Sequence, residues 1–394
     1  MLASRASAAN ALKGPRLAVV DYSKLDNSTR RRQLGRYDIA ILGLWPSLQP
    51  SYQQAVVQGI REASRHVQIA QYTILSEYRR SGDPEVVRVL DQNDWWLWNA
   101  SGDHVQWTAD YGNWEVNVTD WAPRDGRGTS WPCWKASYDR RRLLEPGGPF
   151  EWVFADTVMD QRVRADWRRA GSDQQWQDVA VSKAVRLGFA QHWRCLREQV
   201  PGVLIMANAS PEFLASPELS GLANGAFLEG MLGKTYSPGR HPDGFQRMWR
   251  RYRSAFLHTS APHCVVFQVY GDATDEQRMR YGLGLTLLHD GYFAFNGPSL
   301  QQAMPWFDEY DAPLGDPIQP PPEGPEVSGL WMRRYQGGLV LVNPGPDAIT
   351  VELPAGYRNL SGSLSPSINN GAPASRCSLA PLDARILVTT GFTQ

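Results

Sequence analysis

Trp152-Val153-Phe154-Ala155-Asp156-Thr157-Val158-Met159-Asp160 is the stretch on which the fold turns. Four apolar residues in a row, two aromatic and one β-branched, suit a strand buried on both faces, and strands of that kind build parallel sheets with helices on each side. The run ends in Asp156, which puts a carboxylate at the end of a buried strand.

Working outward, seven more short apolar runs read the same way: Leu17 to Val20, Asp38 to Leu44, Val67 to Tyr72, Val203 to Ala207, Ala226 to Leu228, Cys264 to Val269 and Gly291 to Phe295. Helix-start chemistry lies between several of them. Ser172 with Gln175, and Thr274 with Gln277, have the spacing of capping boxes, and Ser210-Pro211 places an N-cap before a proline at the first helical position. Eight strand-then-helix units indicate an α/β fold, a (β/α)8 barrel of the TIM type. A doubly wound sheet uses the same alternation with fewer strands. It lacks its signature here, because no GxGxxG follows the first strand and Gly282 with Gly284 has no third glycine. A GxSxG elbow and a GxxxxGK[ST] loop are also missing from the sequence.

Gly315-Asp316-Pro317-Ile318-Gln319-Pro320-Pro321-Pro322 cannot continue a helix or a central strand and reads as a linker. Beyond it, Leu330 to Tyr335, the Gly337-Gly338 turn and Leu339 to Val342 predict a hairpin. Ile349, Val351 and Leu353, and then Ala384, Ile386 and Val388, alternate as strand residues do. The expected organisation is a barrel over residues 1–314, a linker over 315–326 and a small antiparallel β domain over 327–394.

The composition narrows the function. Lys+Arg 40 balances Asp+Glu 40 in 394 residues, which removes the basic footprint of a nucleic-acid binder. No run approaches the roughly 18 apolar residues of a membrane span, so neither nucleic acid nor membrane is expected as a partner. Met1 to Pro15 has no apolar core of signal-peptide type. The chain is expected to be cytoplasmic, or secreted or periplasmic if a leader was removed. Cys133, Cys195, Cys264 and Cys377 form no CxxC, and the His residues form no HxH or HExxH. Neither a metal nor a cofactor is expected, and one or two disulfides of open pairing are conceivable.

One connection is far too long for a barrel loop. Between Tyr72 and Trp152 the chain carries an aromatic-rich insertion at about 79–150, with Trp95, Trp96, Trp98, Trp107, Trp114, Trp121, Trp131 and Trp134, eight of the 16 tryptophans. Barrels place substrate in the loops after their strands, so the insertion should stand over the mouth. Indole faces suit the apolar C–H faces of pyranose rings, and Asp103, Asp110, Asn113 and Asp120 are interleaved for hydroxyls. The alternative is that Trp95, Trp96 and Trp98 form the insertion's own core.

A second strand ends in a carboxylate: Gly225-Ala226-Phe227-Leu228-Glu229-Gly230. Two carboxylates at one barrel mouth are the equipment for glycosidic bond cleavage, one as proton donor and the other as nucleophile or water-activating base. Asp156 has a competing use as a helix N-cap. Glu229 is a poor cap. Asp160 is a substrate contact or a capping group. Other strand-end residues positioned for sugar hydroxyls or ring faces are Trp45, Tyr72, Asn208, Gln268 and Tyr270, with Trp98 and Asp103 contributed by the insertion. Asp21 and Glu77 are reserve carboxylates.

These strand-end carboxylates and the trailing β domain resemble the (β/α)8 glycoside hydrolases of the α-galactosidase and polygalactosaminidase type, and especially the glycosyl hydrolase-like barrel families, over roughly Arg16 to Val388. The resemblance implies that Asp156 is the nucleophile, that Glu229 is the acid/base and that the reaction retains configuration. The chain departs from the α-galactosidase pattern in having Glu rather than Asp after the sixth strand, so that substrate is not carried over. A long insertion fits a polymer cleft better than a pocket for a terminal sugar, which points to endo action. The competing expectation is a non-catalytic carbohydrate-binding barrel. An amide or ester hydrolase is disfavoured, since no Ser or Cys nucleophile has a recognisable His partner.

Overall fold

The first two apolar runs become strands in which every residue is buried, β1 (Ala18–Asp21) and β2 (Ile39–Leu42). The computed structural model describes residues 13–45, 47–106, 108–161, 165–167, 170, 179–233, 244–297 and 305–390. Helix α1 (Ser28–Leu34) starts at Asn27, whose side chain accepts from the Thr29 amide, and α2 (Pro50–Ala63) has its proline in the first turn, where a missing N–H costs nothing. Strand β3 (Gln68–Ile74) follows. The insertion then contributes β4 (Glu77–Arg79), α3 (Pro84–Gln92) capped by Asp83, and β5 (Asn113–Glu115), which pairs antiparallel with β4. Helix α4 (Trp131–Asp139) and a π-helical turn over Arg140–Leu144 return the chain to β6 (Trp152–Asp156).

Next come α5 (Val179–Gln199), β7 (Leu204–Asn208), the short α6 (Pro211–Leu214), β8 (Gly225–Leu228), α7 (Gly244–Leu257), β9 (Cys264–Tyr270), α8 (Glu276–Leu287) and β10 (Tyr292–Asn296). The eight long-range strands form one sheet in the order β1-β2-β3-β6-β7-β8-β9-β10. Pairing is parallel from β1 through β8. A parallel bridge between Leu17, the residue before β1, and Phe293 of β10 joins the two edges. The fold is a (β/α)8 barrel with a long insertion after its third strand and a C-terminal antiparallel β domain. All eight apolar runs of the sequence are strands within a residue or two of their expected ends.

Ser210 caps α6 through the Phe213 amide as expected. The cap of α8 is Asp275, which accepts from the Arg278 amide, and not Thr274. Asp at N-cap is as good an acceptor as Thr or better, so the start slips by one residue. Ser172 and Gln175 lie outside the described residues.

The chain divides into two compact units, one made of Ala18–Leu228 with Arg251–Val266, the other of the described residues of Met1–Leu17, Glu229–Arg250 and Phe267–Gln394. In the first, α4 and α5 are joined by a Cys133–Cys195 disulfide with a Cα–Cα distance of 5.3 Å. Beside it lies a buried polar cluster. Lys135 Nζ donates to Asp139 and, at 2.9 Å, to Thr73 Oγ1; the Thr73 hydroxyl donates to Asp139 Oδ2 at 2.7 Å; and His192 Nε2 is 3.2 Å from the same oxygen. Lys135 and His192, against the penalty of burial, hold the Asp139 carboxyl below its ordinary range, while burial outweighs Asp139 and keeps the His192 imidazole below its own.

In the second unit the hairpin of β11 (Trp331–Tyr335) and β12 (Gly338–Asn343), with β14 (Tyr357–Asn359) and β16 (Asp383–Thr389), makes a four-stranded sheet. Strands β13 (Ile349–Glu352) and β15 (Arg376–Leu379) pair separately, and Leu339, Leu341, Val351, Leu379 and Leu387 share one core. Gly284 belongs to this packing: a Cβ there would come within 2.4 Å of Ala384 Cβ. The glycine that fails as a dinucleotide motif is a point of close approach between α8 and β16.

Candidate functional site

The carboxylate that ends β6 is held on both oxygens. The Tyr72 hydroxyl donates to Asp156 Oδ2 at 2.8 Å, and the Asn208 amide donates to Oδ1, also at 2.8 Å. Parallel register explains the convergence. Ile74 pairs with Asp156 and Tyr72 with Phe154, so the tyrosine lies one alternation back on the adjacent strand, while Asn208 closes β7 on the other side. Burial above all, then the Asp156 charge, raises the Tyr72 phenol well above its ordinary value, so it stays a proton donor to the carboxylate.

The backbone after Asp156 is unusual. Thr157 has φ of 53°, a left-handed conformation that a β-branched residue seldom adopts. Ser76 Oγ donates to the Thr157 carbonyl at 3.0 Å, and the Val158 amide donates to the Asn208 carbonyl at 3.2 Å. The turn is therefore fastened to the loop after β3 and to β7. Asp156 is not the N-cap of a described helix, since the next described helix begins at Val179. Asp160 accepts from the Ser182 hydroxyl at 2.8 Å and so engages α5.

An aromatic group sits next to Asp156. The Tyr72 ring meets Trp45 and Tyr22 edge-on, each with centroids 5.2 Å apart, and Tyr22 and Trp45 are 6.0 Å apart. Three strand ends, β1, β2 and β3, thus contribute one aromatic each. Asp21 is buried, paired with Arg30 at 2.7 Å and accepting from the Ser23 amide.

In the other unit, Glu229 is exposed just after β8 and accepts from the Tyr270 hydroxyl at 2.8 Å. Gly230 takes φ of 63°, and its amide donates to the buried Gln268 Oε1 at 2.7 Å, while the Met231 amide donates to the Gln268 carbonyl at 2.9 Å. Gln268 Nε2 in turn reaches Asn296 Oδ1 at 3.3 Å. The left-handed turn is legible in the Glu229-Gly230 pair, because glycine adopts it freely. The Thr157 turn carries no such signal.

The residues expected to touch sugar hydroxyls therefore divide. Tyr72, Asn208 and Tyr270 donate to the candidate carboxylates, and Gln268 braces the turn behind Glu229. Trp45 presents an exposed ring.

The insertion differs from a wall of free indoles. Trp95, Trp96 and Trp131 are buried. Trp95 Nε1 donates to the Pro123 carbonyl at 2.5 Å, Trp96 Nε1 to Asp91 at 2.8 Å and Trp131 Nε1 to the Leu75 carbonyl at 3.0 Å. A sequence segment of this length has its own apolar core to fill, and the indoles fill it. Trp98 and Trp114 enclose His104, with ring centroids 3.7 and 3.6 Å from the imidazole. Asp103 is exposed in a turn, where its amide donates to Asn99 Oδ1 at 2.9 Å. Glu77 is buried opposite Glu115 and accepts from Asn113. Trp107 lies outside the described residues.

The barrel is of the glycoside hydrolase-like class. The model of "Hypothetical glycosyl hydrolase family 15" matches residues 64–339, and the chain belongs to that family. Among solved structures, the chain is similar to an alpha-amylase from Lactobacillus plantarum, at 10% identity and a TM-score of 0.54, over 94% of this chain and 98% of that one. The isomaltulose synthase SmuA from Protaminobacter rubrum is similar at 10% identity and a TM-score of 0.53, again over 94% and 98%. The glycoside hydrolase domain of PelA from Pseudomonas aeruginosa shows 16% identity and a TM-score of 0.44 over 73% of this chain and 97% of that one. At such identities the first two share the fold with this chain. No curated protein matches the sequence.

Proposed function

We propose that the chain is a retaining, endo-acting glycoside hydrolase that cleaves O-glycosidic bonds of a poly- or oligosaccharide, with Asp156 as nucleophile and Glu229 as general acid/base. The observation that carries the reading is the pair of neutral donors on Asp156. A carboxylate that accepts from Tyr72 on one oxygen and from Asn208 on the other has a fixed orientation, and both donors are matched to its charged form. That suits a group which attacks carbon and does not suit a proton donor.

In the first step an Asp156 oxygen bonds to the anomeric carbon, the glycosidic C–O bond breaks and Glu229 gives its proton to the leaving oxygen. In the second, Glu229 takes a proton from water, the hydroxide oxygen bonds to the anomeric carbon and the Asp156 ester is released. Tyr72, Asn208 and Tyr270 are positioning residues in this scheme. The division into a catalytic barrel over 1–314, a 315–326 linker and an accessory domain over 327–394 belongs to the same proposal.

The test is incubation with a panel of polysaccharides, with new reducing ends followed over time and product lengths resolved. The expected result is reducing ends from at least one polymer, with oligomers of mixed length early. Binding without cleavage across the panel would favour a non-catalytic carbohydrate-binding barrel and overturn the proposal.

A further inference from the structure

We propose that Trp45, seated on Gly43, is the platform on which a pyranose ring stacks in the subsite adjoining Asp156, and that Gly43 sets the position of that platform. The inference names a substrate-recognising surface of the site above and rests on that reading.

Trp45 is the only exposed tryptophan among the described residues, with 38% of its surface open. Its backbone is fixed, since its carbonyl accepts from the Leu48 amide at 3.0 Å and from the buried Gln53 side chain at 3.2 Å. Its ring is confined on three sides. Tyr72 and Tyr22 flank it, and below it Gly43 is so close that a Cβ would lie 2.6 Å from Cζ2 and 3.1 Å from Cε2. An indole in solvent with no ligand has no need of such a seat. One that must present an apolar surface in a fixed place does.

Tyr72 links the platform to the chemistry. Its ring is 5.2 Å from Trp45, and its hydroxyl is 2.8 Å from the Asp156 carboxylate. One side chain, Tyr72, thus touches both the Trp45 ring and the Asp156 carboxylate. The ligand class that fits is a pyranose with an unsubstituted C–H face, because indole is a flat apolar surface with a negative face that meets C–H edges. The buried Trp95, Trp96 and Trp131 offer no such face.

The test uses short cello-, malto-, galacto- and N-acetylated chito-oligosaccharides, titrated calorimetrically against Asp156→Asn protein so that ligand persists, with cleavage scored separately in the unsubstituted chain. At least one series should bind. Adding Trp45→Ala should weaken that binding by at least about tenfold, and Trp45→Phe should restore most of it. Gly43→Ala should weaken binding comparably by displacing the ring, and Gly43→Ala with Trp45→Ala should be no weaker than Trp45→Ala alone, as coupled neighbours behave. Undiminished binding by a Trp45→Ala protein of normal thermal stability overturns the proposal, and so does failure of every series to bind. Cleavage with unchanged Trp45→Ala binding removes the platform and leaves the hydrolase. Trp45-dependent binding without any cleavage leaves the platform and removes the hydrolase.

Discussion

Replacing Tyr72 by Phe separates two roles that one side chain could have. The change deletes the hydroxyl that donates to Asp156 Oδ2 at 2.8 Å and keeps the ring, which still packs on Tyr22, Trp45 and Phe154. A hydrogen bond to a charged group contributes about 1.5–3 kcal/mol. If the bond serves to orient the nucleophile, its loss frees the carboxylate from the attack geometry, and a penalty of about that size corresponds to a fall in kcat of about ten- to 150-fold. KM should change little, because the bond is made before substrate arrives. The assay is steady-state release of reducing ends from a cleaved polymer, alongside thermal unfolding to show that the barrel persists. A rise in KM with unchanged kcat would refute the positioning role and return Tyr72 to a contact with sugar hydroxyls. Unchanged kinetics would remove it from the site altogether.

Asn208→Ala, which removes the other donor on Asp156, should also lower kcat more than it raises KM, and a double variant with Tyr72→Phe should not be additive, since both act through one carboxylate. Trp95→Ala, at the core of the insertion, should destabilise the fold by about 3–5 kcal/mol, read as a drop in the denaturant midpoint. Replacing both Cys133 and Cys195 by Ala opens a loop with a sequence separation of 62; the chain-entropy relation gives a loss of about 4 kcal/mol, measurable by urea unfolding. Stability should also fall with acid in two stages. The His192 imidazole is held below its ordinary value, so an unfolded chain takes up its proton first and stability declines as pH drops below about 6.5. Asp139 is held below the usual carboxylate range, so its contribution is present above about pH 4 and is lost as pH falls further through its folded value. Melting temperature against pH checks both, and His192→Gln should abolish the upper stage.

Backbone-level structure was legible because its signals are local. Each barrel strand is a short apolar run with a polar stop, and the hairpin of β11 and β12 announces itself with Gly337-Gly338. Asp156 and Glu229 stand out by position alone. What the sequence hides is which neighbour a polar group faces. Tyr72 and Asn208 are strand-end residues like Asp21, yet the first two reach Asp156 and the third is consumed by Arg30. Parallel register decides this, and register is a property of the assembled sheet. The insertion's tryptophans show the same gap. Composition counts aromatic residues without saying whether they line a groove or fill a core, and three of them fill a core. The pairing of Cys133 with Cys195 needed α4 and α5 to be neighbours. Gly43 lies within the apolar run Asp38 to Leu44, and nothing in that run signals that the indole two residues on packs over it.

The most direct measurement is the turnover of Asp156→Asn on a polysaccharide that the unsubstituted chain cleaves, with folding checked by melting temperature. The side chain keeps its shape and loses its charge, so the account predicts a fall of at least about a hundredfold. Near-normal turnover in a folded Asp156→Asn protein would contradict the assignment of Asp156 as the nucleophile.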